Sequence, residues 1–292
     1  MINAFYLTMC VITMASTSIL GAYYERHTLG KKDASPLFNL SRVITTLIFW
    51  CIIFIFDFSF DIGVLLYAVG FGASFAVSAI GLIYAIKYGS VALTSLFLQA
   101  SLIGVTIWGL IFWGASFTAL VVVGLILITV GLALCVLDKK NGATQKQNVS
   151  FRWFIFALMA LAGNAGCTIF QKEQQLAYDG KHGSMLMVFA LIFTTIVCLA
   201  LYIKSDKSQS KEILKTEWPY AVGVGISNAL INLFVILLAT TTMSTSLIYP
   251  VIAFGGLLIT TLFSLIVFKE KFKWWQWVGF LICSIAIVLL NI

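Results

Sequence analysis

Neutral polar side chains at helical spacing are where chemistry is available in this chain. Asn164, Thr168 and Gln171 follow one another at i, i+4 and i+7, and Asn228 and Asn232 at i, i+4. Ser95 and Gln99 repeat the i, i+4 step, with Thr106 on the same face. Such spacing puts each set on one side of a helix. Amides carry both donors and acceptors, and a hydroxyl serves as either. These groups can bind hydroxyls, a zwitterion or a base edge without the desolvation cost of a fixed charge. The competing use is to bridge helices. An internal repeat places Phe75 and Ala79 opposite Asn228 and Asn232. Generic bridging should leave at least one polar counterpart, so the comparison favours binding.

Tyr249-Pro250 is a second feature. Proline inside a helix frees the carbonyl four residues earlier, here that of Ser246, and bends the helix. Pro250 is therefore a candidate hinge and Tyr249 a candidate contact; a passive kink is the alternative. Two charged pairs, Glu25-Arg26 and Lys172-Glu173, close apolar stretches at equivalent places in the repeat. They are candidate gates, or simply solvated helix ends.

Other chemistry is missing. No acidic, basic or histidine side chain falls near the middle of an apolar stretch, so the usual mark of a proton relay or ion site is absent. The histidines, His27 and His182, are expected on opposite faces, which disfavours a catalytic cluster. Six cysteines lie in apolar stretches with no CxxC pair and no neighbouring histidine, and read as packed free thiols rather than a metal site. No phosphate-binding glycine loop is present. No cofactor is expected.

The elements that must position these residues are membrane helices. Of 292 residues, 61% are hydrophobic and 10% charged, and the mean hydropathy is +1.04. A soluble domain is nearer a quarter charged. Ten stretches reach spanning length. They cover about Asn3–Tyr24, Pro36–Phe56, Ile62–Ile86, Val91–Trp113, Thr118–Leu137, Phe151–Gln171, Gly183–Ile203, Trp218–Ala239, Ser246–Phe268 and Trp274–Leu290. Ser35-Pro36 reads as an N-cap with proline at the first helical position, and Pro219 as the opening of the eighth span. The first span has no basic leader and reads as permanent.

The chain repeats itself. Tyr67–Ser74 and Tyr220–Ser227 are identical at six of eight places. Ser90 and Leu93 match Ser244 and Leu247, and Val123-Gly124 matches Val278-Gly279, with little drift in offset. Residues 1–137 and 151–292 thus form two five-span units around a polar linker, 138–150. Of the 18 Lys and Arg residues, all but Lys172 and Lys181 fall in or beside loops after odd-numbered spans. Those loops are expected in the cytoplasm and both termini outside it. An odd number of spans per unit makes the second unit cross the membrane inverted, an arrangement that alternating-access carriers favour. The net charge of +7 is therefore assigned to one membrane face rather than to nucleic acid.

With that layout, the chain resembles the drug/metabolite transporter superfamily, and within it the ten-helix EamA-like group. The sharpest local match is Ser246–Ile252 around Pro250, with Glu270 and Gly279 downstream. Leu96 and Ser116, opposite Pro250 and Glu270, depart from the pattern. The resemblance implies a central cavity lined mainly by spans 1, 3, 4, 6, 8 and 9, with spans 5 and 10 as struts, and secondary transport without ATP.

The expectation is an all-α plasma-membrane carrier, functional as a monomer in the lipid bilayer. Its cargo would be a small neutral or zwitterionic metabolite of the amino acid, sugar or nucleoside class. The rivals are a lipid, lipid-linked or cationic drug-like cargo, a non-transporting assembly subunit and, least favoured, a membrane enzyme.

Overall fold

Apolar runs bounded by glycine, proline and charged turns fold here as helices. A computed structural model describes residues 2–29, 31, 34–114, 118–136, 150–239 and 245–289. The described residues form eleven helices and no strand. In chain order they are α1 (Ile2–His27), α2 (Ala34–Phe56), α3 (Val64–Tyr88), α4 (Val91–Gln99), α5 (Leu102–Phe112), α6 (Ala119–Val136), α7 (Phe151–Ala177), α8 (Gly183–Ile203), α9 (Ser210–Ala239), α10 (Thr245–Ile266) and α11 (Trp274–Leu289). Among the described residues, seven segments are long and apolar enough to cross a membrane, with α4 and α5 taken as one. Shorter apolar stretches lie in α6, α10 and α11. The linker 138–150 lies outside the described residues except for Ser150, which caps α7 by accepting from the Trp153 amide.

Three local expectations need correction. The fourth apolar stretch is two helices, not one. Its hydrogen bonding tightens at Ala100-Ser101, where the Ser101 amide donates to Leu98 and the Ile103 amide to Ala100. Pro219 does not open α9, because the helix begins at Ser210 and carries the proline inside. A hydropathy reading misses that first part because it is solvated. Ile213 nevertheless buries against Tyr24, Phe38 and Ile83, and Lys31 pairs with Glu212 at 2.8 Å. Ser35 is not the cap of α2. That helix starts at Ala34, and the Ser35 hydroxyl donates to Glu25 Oε1 at 2.9 Å.

Small residues set the packing. The most extensive helix pairs are α3 with α7, α1 with α9, and α6 with α11. Next come α2 with α8 and α9, α3 with α8, α1 with α10, and α4 with α10 and α7. In the α3–α7 pair, a Cβ at Gly81 would strike the backbone nitrogen of Ala160, and one at Gly163 that of Ser78. Backbone-to-backbone approach of this kind is how apolar helices associate in lipid.

The repeated glycines behave the same way. A Cβ at Gly72 would lie 2.5 Å from the Ala190 carbonyl oxygen, and one at Gly225 2.6 Å from that of Arg42. Each approach is closed by a threonine. Thr194 Oγ1 shares its proton between the carbonyls of Ala190 and Gly72, both at 2.9 Å. Thr46 Oγ1 does so between those of Arg42 and Gly225, also at 2.9 Å.

Candidate functional site

The break between α4 and α5 falls at the middle of a membrane-length segment, and polar side chains gather there. Asn164 of α7 stitches it: Nδ2 donates to Ser101 Oγ at 2.8 Å and reaches the Leu98 carbonyl at 3.4 Å. Ser101 and Ala100 are buried. Gln99, the last residue of α4, is buried and places Nε2 3.3 Å from the Met14 sulfur of α1. One turn earlier, Ser95 is buried with no hydrogen-bond partner for Oγ among the described residues. An interrupted helix at this depth is tolerated where protein covers it or where it lines a cavity.

The other amides lie on α7 and α9. Thr168 donates back to the Asn164 carbonyl at 3.1 Å, so its proton is spent within α7. Gln171 is half-buried. Asn232 Nδ2 donates to the Asn228 carbonyl at 2.8 Å, while Asn228 Oδ1 is buried without a partner among the described residues. The structure therefore brings Asn164, Ser95 and Gln99 to one helix break. It leaves Asn228 with an unused buried acceptor, which costs stability unless something donates to it. For Tyr249 and Pro250, the backbone runs helically within α10, and their side chains lie outside the described residues.

The charged pairs at the helix ends are not uniformly solvated. Glu25 is only 4% exposed and takes its hydrogen bond from Ser35. Arg26 reaches across to Glu270 at 3.3 Å and lies 3.9 Å from the centre of the Phe268 ring. Glu270 is buried and accepts from Ser90 Oγ at 2.6 Å, from the Val91 amide at 3.1 Å and from the Ala92 amide at 3.5 Å. It therefore sits on the N-terminus of α4, where unpaired amides and the helix dipole both favour an anion. One carboxylate ties α1, α4 and the α10–α11 turn. The sequence points to Glu270 only by resemblance. The legible signal was Ser90, a helix cap whose helix start needs an acceptor.

At the other end of α7, Glu173 Oε1 accepts from the indoles of Trp108 at 2.9 Å and Trp113 at 2.8 Å. The exposed Lys172 places its ammonium 4.1 Å from the Trp113 ring centre. Arg26 and Glu173 thus make cross-helix contacts. One joins α1 to Glu270 and the other joins α7 to α5.

The described residues contain no group of three His, Cys, Asp or Glu side chains that could hold a metal ion. Cys10, Cys51, Cys167 and Cys198 are free thiols, the Cys283 thiol donates to the Ile128 carbonyl at 3.6 Å, and the side chain of Cys135 lies outside the described residues.

Comparison with known proteins adds the family. No curated protein matches the sequence. A solved crystal structure of a protein aligns over 97% of this chain and 96% of its own, with a TM-score of 0.61 and 10% identity. At that identity the likeness shows the fold alone. The model of the UAA transporter family matches residues 61–292. The chain belongs to the UAA transporter family, within the drug/metabolite transporter superfamily, and is a multi-pass membrane transporter.

Proposed function

We propose that the protein is a secondary carrier that moves a small neutral or zwitterionic metabolite by alternating access. Ten spans form two inverted five-helix units, residues 1–137 and 151–292, joined by a cytoplasmic linker. Both termini lie outside the cytoplasm of a plasma-membrane protein that works as a monomer. The helix pairing supports the duplication. Exchanging α1 with α7, α2 with α8, α3 with α9, α4–α5 with α10 and α6 with α11 turns α3–α7 into α1–α9, α3–α8 into α2–α9, and α4–α7 into α1–α10. The same exchange returns α2–α8, α4–α10 and α6–α11 to themselves. Two matching units around a shared axis are what rocking carriers use.

The observation that carries the reading is the α4–α5 break held by Asn164. Discontinuous helices at mid-membrane are where such carriers bind cargo. Ser95 Oγ and Asn228 Oδ1, each buried without a protein partner among the described residues, have hydrogen-bonding capacity left over that cargo hydroxyls or amino groups would use once the site opens. Asn164, Thr168, Gln171, Asn232, Gln99 and Tyr249 complete the proposed contact set, with Pro250 as hinge and Glu25-Arg26 and Lys172-Glu173 as gates. A thermal-shift screen of purified protein against amino acids, sugars and nucleosides tests this, because a ligand of the folded state raises its apparent stability. The reading requires that one class stabilises the wild type and that Asn228→Ala loses the shift. Stabilisation by cations or lipids alone would reject it.

A second reading makes the cargo a nucleotide sugar, which joins the sugar and nucleoside classes through phosphate. Membership of the UAA transporter family favours it. Including a nucleotide sugar beside its free sugar and free nucleoside in the screen separates the two.

A further inference from the structure

We infer that Phe268 and Trp113 are the paired gate residues of the carrier, each held under a cation from the first helix of the opposite unit. With both rings held, the chain rests with its central site closed to both faces; this rests on the proposed carrier function and names the side chains that must part at each end.

One clasp lies where α1 meets α9 and the end of α10. The Arg26 guanidinium stands 3.9 Å from the centre of the Phe268 ring. Tyr23, one turn earlier on α1, meets the same ring edge to face at 5.2 Å and stacks on Tyr220 of α9 at 5.9 Å. Phe263 of α10 closes on Phe268 at 5.5 Å. Ring faces attract cations and ring edges through the quadrupole. These contacts are made by side chains alone, so they can part while the helices stay intact.

The second clasp lies where α7 meets α5. The Lys172 ammonium stands 4.1 Å from the centre of the Trp113 ring, and Glu173 accepts from the indoles of Trp113 and Trp108. Tyr67 of α3 meets Tyr178, just past α7, edge to face at 6.2 Å. The exchange of halves that takes α1 to α7, α9 to α3 and α10 to α4–α5 turns one clasp into the other. Trp108 and Trp113 stand to Phe263 and Phe268 at the same sequence offset as Val123-Gly124 to Val278-Gly279, and Tyr67 and Tyr220 are the repeated tyrosines.

The clasps lie at opposite ends of the molecule. Helix α3 measures the separation: its early residue Tyr67 lies against Tyr178 past the end of α7, whereas Tyr84 faces Glu25 at the end of α1. Those two tyrosines are about 26 Å apart along the helix at 1.5 Å per residue. While both clasps are made, Ser95 Oγ and Asn228 Oδ1, the proposed cargo-facing atoms, are buried. A carrier that rocks between faces passes through a form closed to both. Each opening then requires one ring to leave its cation.

The test is sided thiol labelling of the full-length protein in membrane vesicles. Ser95→Cys is the reporter, the parent chain is the background, and a membrane-impermeant methanethiosulfonate is the probe, so no cargo need be known. In the reporter alone, labelling should be slow from both faces. Phe268→Ala should speed it about tenfold from the face that carries the 204–217 loop and leave the other face slow. Trp113→Ala should do the converse. Arg26→Gln and Lys172→Gln keep the rings and their packing. They should show the same sidedness with smaller gains, and they carry the test if an alanine variant fails to fold. Loosened packing alone would speed labelling from both faces. The inference is overturned if the reporter alone labels rapidly from one face, or if the variants show no such sidedness; either result leaves the carrier reading standing. Rapid labelling of the reporter alone from both faces would overturn the carrier reading as well.

Discussion

Thr46 and Thr194 make the same pair of hydrogen bonds in opposite halves of the protein. Each closes a glycine of one helix onto the backbone of another, Gly225 onto α2 and Gly72 onto α8. Replacement by valine keeps the shape and deletes one buried, shared hydrogen bond, worth about 1 kcal/mol. Thr46→Val and Thr194→Val should lower the apparent melting temperature by similar amounts. The two losses should add in the double variant, as for independent sites. Markedly unequal losses would break the equivalence of the two clasps.

Glu270 and Arg26 form an ion pair whose members should not be equally important. The Arg26 side chain is 45% exposed, whereas that of Glu270 is 3% exposed and also caps α4. Losing Arg26 removes a partly screened pair, worth about 0–1 kcal/mol. Losing Glu270 removes charge-assisted bonds of about 1.5–3 kcal/mol each to buried donors. Glu270→Ala should therefore destabilise several times more than Arg26→Gln in a thermal or denaturant melt. Equal effects would mean that the carboxylate serves the arginine rather than the helix start.

Glu173 provides the contrast. Its indole partners lie at a partly exposed helix end, so Glu173→Ala should change stability by only about 1 kcal/mol or less. Its effect should be seen in access instead. With Trp108 and Trp113 released, quenching of tryptophan fluorescence by iodide should increase. A large loss of stability without a change in quenching would assign Glu173 a packing role.

Asn164 and Ser101 should be coupled. Asn164→Ala removes the donor that serves both Ser101 Oγ and the Leu98 carbonyl, whereas Ser101→Ala leaves the second acceptor in place. The single variants should differ, with Asn164→Ala the worse, and the double variant should cost less than the sum. Strict additivity in a double-mutant cycle would show that the amide does not hold the break.

The membrane class, the helices and the polar seam were legible in the sequence because each rests on local pattern. Composition marked the spans, and i, i+4 spacing picked out Asn164, Asn228 and Gln99. The break at Gln99–Ser101 was not legible, since it falls in an apolar stretch with no proline. Pro250, which carries the expected signal, lies in a helix that runs on through it. Burial of Glu25, Glu270 and Arg42 was also hidden. A charge near a helix end reads as solvated until its neighbours are known, and here the hydrogen-bond partners of the two carboxylates are 10 to 244 positions away in the chain. The start of α9 is hidden for the opposite reason: its first residues are polar, and the burial of Ile213 and the Lys31–Glu212 pair reveal that they pack.

The most direct test of a carrier is counterflow. Proteoliposomes preloaded with the unlabelled ligand found by thermal shift are diluted into buffer containing trace radiolabelled ligand, without ATP or an ion gradient. A carrier that exposes one site to each side in turn should accumulate label transiently above equilibrium, and Asn228→Ala should abolish the overshoot while remaining folded. Binding without any overshoot in the wild type would contradict alternating access and leave a protein that holds its ligand without carrying it.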